Sequence, residues 1–252
     1  MFTINYTENY YAIDDHKMYS KYYKNGTPTV LFEAGLGDSS DSWNYIQDKI
    51  SLITSTFSYD RAGIGKSEGS FTPRNGLNLI QDLSKLITEV SIDPPFLLVG
   101  HSFGGLFSRL FACINSDSVV GMILIDAALE NKEISFQKIL TDNHIIRIKN
   151  YLENPELNSE KIDKVKTYKQ ISIYKRQFDF PLTIITRGLA NCYGEGWPEE
   201  RLLNVEQKLQ LDIKNLSKMS KSIIAKKSGH YIHKDEPELV IKEIIQMINQ
   251  VK

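Results

Sequence analysis

The sequence predicts an α/β fold: a mostly parallel central sheet with helices on both faces and a helical cap insertion. Three observations predict it. The first 35 residues read as short β segments with no helical stretch between them. From there, strand-like and helix-like stretches alternate to the C-terminus. One interval, 129–179, breaks that rhythm and holds no convincing strand.

The elements follow in order. "FTINY", "KMYSKYY" and "TPTVLFEAG" are rich in β-branched and aromatic residues, which suit a pleated sheet. Asn25-Gly26 separates the last two and reads as a hairpin turn. "SWNYIQDKI" is helical and "TSTFSYD" a strand. From Gly76 to Ile92, Ile80, Leu83, Ile87 and Val90 share one helical face. "FLLVGHS" is a strand, "GGLFSRLFACI" a helix and "VVGMILIDA" a strand. "FPLTIITRG" and "KSIIAKKSGH" are later strands. A helix from Pro237 to Val251 closes the chain, its proline in the first turn, where a missing N–H does no harm.

The interval 129–179 is rich in Lys, Ile, Asn and Tyr, and Pro155 marks a break within it. It is too long for an ordinary loop, so it reads as a cap inserted between two parts of one core domain, 1–128 and 180–252. Phe136, Ile139, Ile145, Ile148, Tyr151 and Leu152 are spaced so that some must face that core and roof an apolar pocket.

Composition bounds the function. The chain has 252 residues, 41% hydrophobic and 24% charged, enough for a full core. A net charge of −1 gives no pull toward nucleic acid or an anionic membrane. Cys113 and Cys192 form no CxxC pair, which suits a reducing compartment. The first residues show no signal-peptide pattern, and no apolar run reaches the roughly 18 residues of a membrane span. A cytoplasmic protein with a small-molecule substrate is expected, its oligomeric state left open.

The chemistry concentrates at Gly100-His101-Ser102-Phe103-Gly104, a G-x-S-x-G between a predicted strand and a predicted helix. Such a turn is tight enough to strain the serine backbone, and it lifts the hydroxyl clear at the C-terminal edge of the sheet. The bland alternative is a glycine-rich turn with a capping serine. A nucleophilic Ser102 needs a base. His16 sits in an N-terminal turn, His144 in the cap interval, and His101 within the elbow itself. In "SGHYIHKDEPE", His230 directly follows the last predicted strand and is preferred to His233, which reads as solvated or capping. The oxyanion hole would use the N–H groups of Phe103 and of Leu36, in the glycine-bearing "FEAGLGDSS".

Together, "EAGLGDSSDSW", "SYDRAGIGKSEG", "VGHSFGG", "ILIDAA" and "SGHYIHKDEPELV" resemble the α/β-hydrolase superfamily, most closely its small capped bacterial members. The resemblance spans nearly the whole chain and is weakest over 129–179. It implies Ser102 as nucleophile, His230 as base, Leu36 and Phe103 as oxyanion donors, and no metal or organic cofactor.

The acid departs from the family's common pattern. Most members carry an aspartate shortly after the strand that here reads "PLTIITRG". Here that loop is "LANCYGEGWPEE", whose only carboxylates are Glu195, Glu199 and Glu200. The superfamily's second location, one strand earlier, falls on Asp126. Asp126 ends a strand and is rigidly placed, whereas Glu195 sits in a glycine-rich loop. Asp126 is therefore preferred, with Glu195 the rival and turn-capping the bland reading of Asp126.

Other motifs fail. "AGIGKS" would need glycine at position 60 to be a phosphate loop, and Asp60 stands there, so Asp60 and Arg61 read as loop anchors. No H-E-x-x-H and no Cys/His cluster suggests a metal. The expectation is a serine hydrolase acting on a small carboxylic ester, thioester or amide. Its rivals are an aminopeptidase-like amidase and a ligand sensor of the same fold that binds without turnover.

Overall fold

The computed structural model describes residues 5–252, so residues 2–4 of the first expected strand lie outside it. β1 (Asn5–Ile13) and β2 (His16–Lys24) pair antiparallel around a tight turn in which Asp14 takes φ 48°. The hairpin expected at Asn25-Gly26 does not form. β3 (Thr29–Glu33) is buried along its whole length and lies between β4 (Thr56–Tyr59) and β5 (Phe96–His101), while β2 pairs with β4. The Asn-Gly segment instead docks on the start of β4. Ser55 accepts from the Asn25 N–H at 2.8 Å, and its hydroxyl donates to the Gly26 carbonyl at 2.5 Å. A strand buried on both faces belongs in mid-sheet, and that requirement overrides the local turn signal.

The remaining elements are α1 (Asn44–Ser51), α2 (Gly76–Val90), α3 (Phe103–Ile114) and β6 (Val119–Ile125). Then come α4 (Lys132–Phe136), α5 (Asp142–Glu153), α6 (Lys164–Tyr174) and β7 (Leu182–Arg187). The chain ends with α7 (Glu199–Asp212), β8 (Ser220–Ala225), α8 (Ile232–Asp235) and α9 (Pro237–Val251). The sheet order is β1-β2-β4-β3-β5-β6-β7-β8, parallel from β4 onward. β8 stops at Ala225, so the rest of "KSIIAKKSGH" is a loop that carries His230.

Period-two alternation splits the core into two layers. Leu31, Leu98, Met122, Leu124 and Ile184 face α2 and α3. Val30, Phe32, Leu97, Val99, Ile123 and Ile125 face α1 and α9, against Ile46, Ile50, Ile244 and Ile248. No helix among the described residues is long and apolar enough to cross a membrane.

Candidate active site

Parallel strands deliver their C-terminal ends to one edge, and the loops leaving β3, β5, β6 and β8 meet there. β5 turns into α3 at Ser102, whose φ of 51° lies in the left-handed region that a side chain avoids. The surroundings leave no room for a wider turn. A Cβ on Gly100 would lie 2.8 Å from the Gly104 carbonyl oxygen, and one on Gly104 would lie 2.4 Å from those of Glu33 and Ala34. The sheet fixes the strained backbone: Ser102 N–H donates to Ile125, and the Ser102 carbonyl accepts from Ala128 at 2.8 Å.

Ser102 Oγ lies 2.9 Å from Nε2 of His230, and Nδ1 of His230 lies 2.6 Å from Oδ2 of Asp126. A carboxylate only accepts, so the proton sits on Nδ1 and Nε2 is left to receive the serine hydroxyl. Asp126 caps no helix. Like Ser102, it sits at positive φ, here 41°, and its N–H donates to the Ile185 carbonyl at 2.7 Å. Burial works against its charge. The hydrogen bond from His230 and the guanidinium of Arg187, at 2.5 Å, outweigh that and hold the carboxyl below its usual range. The rival carboxylates lie elsewhere: Glu195 and Glu200 are exposed, and Glu199 accepts the Tyr193 N–H at 2.7 Å.

Arg187 was not singled out from the sequence. It is buried at the end of β7, pairs with both Asp126 and Glu206, and ties α7 to the site. Its signal was a lone cation closing the apolar run "PLTIIT". His101 was set aside, yet its side chain is buried and its Nε2 lies 2.9 Å from the carbonyl oxygen of His230, so that nitrogen carries a proton and donates. His233 is neither solvated nor capping. It is buried between Trp43, at 4.7 Å between ring centroids, and His101, at 4.4 Å, and burial pushes its pKa down to about 3. His16 is buried at the start of β2, and His144 stacks on Trp197 at 4.2 Å.

The loop after β3 is clasped on both sides of Leu36. Arg61 donates to the carbonyls of Ala34 and Gly35, and Glu160 accepts the Gly37 N–H at 2.8 Å. Arg61 in turn holds Glu160 through Nε at 2.8 Å, while Asp60 accepts from the Ser40 and Lys66 N–H groups. Glu33, beneath the loop, accepts from Tyr59, and burial pushes its carboxyl up to about 7 even with Arg61 beside it. The N–H groups of Leu36 and Phe103 have no hydrogen-bond acceptor among the described residues, so both remain available to an incoming oxygen. No group of three or more His, Cys, Asp or Glu among the described residues is arranged to hold a metal.

The family described as alpha/beta hydrolase fold matches residues 28–147. Protein YqjL of Bacillus subtilis (strain 168), itself uncharacterized, is 33% identical over 237 residues, 92% of this chain and 88% of that protein. A thermophilic esterase from Thermogutta terrifontis shares the fold with a TM-score of 0.70 at 13% identity, covering 98% of this chain and 99% of the other. An epoxide hydrolase mutant from Vigna radiata gives 0.73 at 14% identity, covering 97% and 99%. The structural likenesses speak for the fold alone; with the family match and the near-full-length relative, they establish that this chain belongs to the α/β-hydrolase superfamily.

Proposed function

We propose that this protein is a serine hydrolase that cleaves a small-molecule carboxylic ester, or a thioester or amide, through an acyl-enzyme. One observation carries the reading: the unbroken line from Ser102 Oγ through His230 to Asp126, with serine and aspartate both held at positive φ. Ser102 attacks the carbonyl carbon as Nε2 of His230 takes its proton. The Leu36 and Phe103 N–H groups hold the oxyanion, and Asp126 stabilises the imidazolium that forms. His230 then returns the proton to the leaving group. Water, activated by the same nitrogen, releases the acid and frees Ser102. The segment 129–179, with α4, α5 and α6, serves as the cap over this edge.

Esters suit the site as a first substrate class because a good leaving group needs little help from the acid step. The test is a series of p-nitrophenyl esters from acetate to octanoate, run with a fluorophosphonate probe. Turnover should appear within the series, the probe should label Ser102, and Ser102→Ala should abolish labelling and lower kcat by roughly 10⁴-fold or more. Labelling that survives Ser102→Ala, or wild-type protein inert to both ester and probe, would defeat the reading.

A further inference from the structure

The two expected oxyanion donors are gripped from behind, and by different means. In a trans peptide the C=O and N–H of one unit point in opposite directions, so whatever holds the carbonyl sets where the N–H aims. The Phe103 N–H shares its peptide with the Ser102 carbonyl, which accepts from Ala128 at 2.8 Å and from Gly105 at 3.0 Å. The Leu36 N–H shares its peptide, also trans, with the Gly35 carbonyl. That carbonyl accepts from Nη2 of Arg61 at 2.6 Å and from the Asp38 N–H at 3.1 Å. Neutral amides back one donor, and a guanidinium backs the other.

Arg61 is itself locked in place. It is buried, and its guanidinium carbon lies 5.3 Å from the ring centroid of Phe107. Nη1 donates to the Ala34 carbonyl at 2.9 Å and to Glu33 at 3.2 Å. Nε and Nη2 donate to Glu160 at 2.8 and 2.6 Å. Burial works against the charge, but Glu160 and Glu33 more than offset it and keep the guanidinium protonated. A lysine would neutralise the same carboxylates; only a planar fork also reaches two successive carbonyls. Behind Gly35 there is no slack, since a Cβ there would lie 2.9 Å from Nδ1 of His101.

We propose that Arg61 is a positioning residue for the reaction: it holds the Gly35–Leu36 peptide with the Leu36 N–H aimed at the oxyanion, and its charge makes that N–H a stronger donor. The proposal rests on the serine-hydrolase reading and deepens its oxyanion step. The substrate oxygen, the Leu36 amide and Arg61 form one hydrogen-bonded chain, in which each bond polarises the next. The guanidinium answers negative charge only as it develops, which favours kcat over substrate affinity. Glu160, from the segment 129–179, holds both Arg61 and the Gly37 N–H, and so ties that segment to the donor.

The test compares p-nitrophenyl butyrate with its thiono analogue, in which sulfur replaces the carbonyl oxygen and the leaving group is unchanged. Sulfur is a weak acceptor, so the oxygen-to-sulfur ratio of kcat reads the oxyanion donors. Wild type should favour oxygen by roughly a hundredfold or more. Arg61→Gln combined with Glu160→Gln removes both charges of the pair together. It should cut the ratio by roughly tenfold or more while KM changes by less than about threefold. Arg61→Lys, which keeps the charge without the fork, should fall between. Gln170→Leu loosens α6 from α2 without touching the loop and should leave the ratio unmoved. A ratio near one in wild type, one unmoved in the combined variant, or one moved equally by Gln170→Leu overturns the proposal and leaves the hydrolase reading intact. Wild-type protein gives a readout that needs no variant to fold: NMR of the ¹⁵N-labelled enzyme with butaneboronic acid, which forms a tetrahedral anion on Ser102. The Leu36 amide proton should move downfield by about 1 ppm or more, as should that of Phe103. A boronate that binds Ser102 and shifts Phe103 but not Leu36 overturns the proposal. Absence of both ester turnover and boronate adduct defeats the hydrolase reading and the proposal with it.

Discussion

The edge of the sheet and the helical segment above it are built differently. At the edge, Ser102 follows a fully buried strand and Asp126 one buried at every residue but Val120, and neighbouring strands hold their backbones by hydrogen bonds. In the proposed cap, α5 buries no residue outright, and Ile134 and Ile146 are 64% and 65% exposed. Ile162 and Ile171 bury into the layer formed with α2 and α3, and polar contacts fasten the segment further. Glu160 grips Arg61, while Thr167 and Gln170 on α6 accept the first-turn N–H groups of Gly76 and Leu77 on α2, which have no partner within their own helix. The edge is a rigid frame, whereas in the proposed cap α6 is packed on the core and α5 is a lightly packed outer cover. On the proposed reading, chemistry is fixed by the sheet, and substrate choice falls to the part that can change cheaply.

The largest expected effect tests the rigid side. Asp126→Asn keeps the shape but loses the charge and favours the wrong imidazole tautomer, so kcat should fall roughly 10²–10⁴-fold. Glu195→Gln, in an exposed loop, should stay close to wild type. Because Asp126 also neutralises buried Arg187, thermal midpoints and labelling of Ser102 must be compared before the loss is assigned to chemistry. A mild Asp126→Asn with a severe Glu195→Gln would move the acid to the loop and dissolve the contrast between frame and cover.

The same contrast explains what could be read in advance. The strand ends at Ser102 and Asp126 were legible because a buried strand followed by glycines, or ending on a carboxylate, has few structural excuses. The hairpin at Asn25-Gly26 was misread because the turn signal is local, whereas the burial of β3 is a property of the whole sheet. α7 went unseen because it buries only Leu202, Leu203, Glu206 and Gln210, too mixed a face to show a clean period. The roles of Arg187, His101 and Glu160 depend on partners tens of residues away, which no spacing in one sequence discloses.

A middle-sized effect probes the floor beneath the site. His233 is buried and kept neutral, its pKa at about 3, with Lys234 and His230 adding to the effect of burial. Burial also pushes His101 well below its ordinary value. The unfolded chain binds protons at about pH 6.5, so it holds more of them than the native state below that pH. The stability from His233 is complete above about 6.5 and drains away as pH falls toward 3, about 2 kcal/mol of it by pH 5. Urea unfolding at pH 7.5 and 5 should show a smaller acid loss for His233→Leu than for wild type. Equal losses in the two proteins would mean that His233 is not held neutral by its burial.

The smallest effects separate residues of the proposed cap that line a cavity of about 560 Å³ among α4, α5 and the loop after β7 from those that do not. Of the six residues among which some were expected to face the core, Phe136, Ile148 and Tyr151 line it, while Ile139, Ile145 and Leu152 are half-buried elsewhere. Phe136 is buried, so Phe136→Ala should cost about 3 kcal/mol and serves mainly as a stability control. Ile148→Ala and Tyr151→Ala remove wall from a helix with no fully buried residue, so each should cost no more than about 1 kcal/mol. Each should also shift the preferred ester chain length toward longer chains by a few-fold in kcat/KM. Ile145→Ala and Leu152→Ala should leave that preference where it was. Uniform small losses of stability, with no shift at Ile148 or Tyr151, would make the segment a cover that chooses nothing and return specificity to the sheet edge.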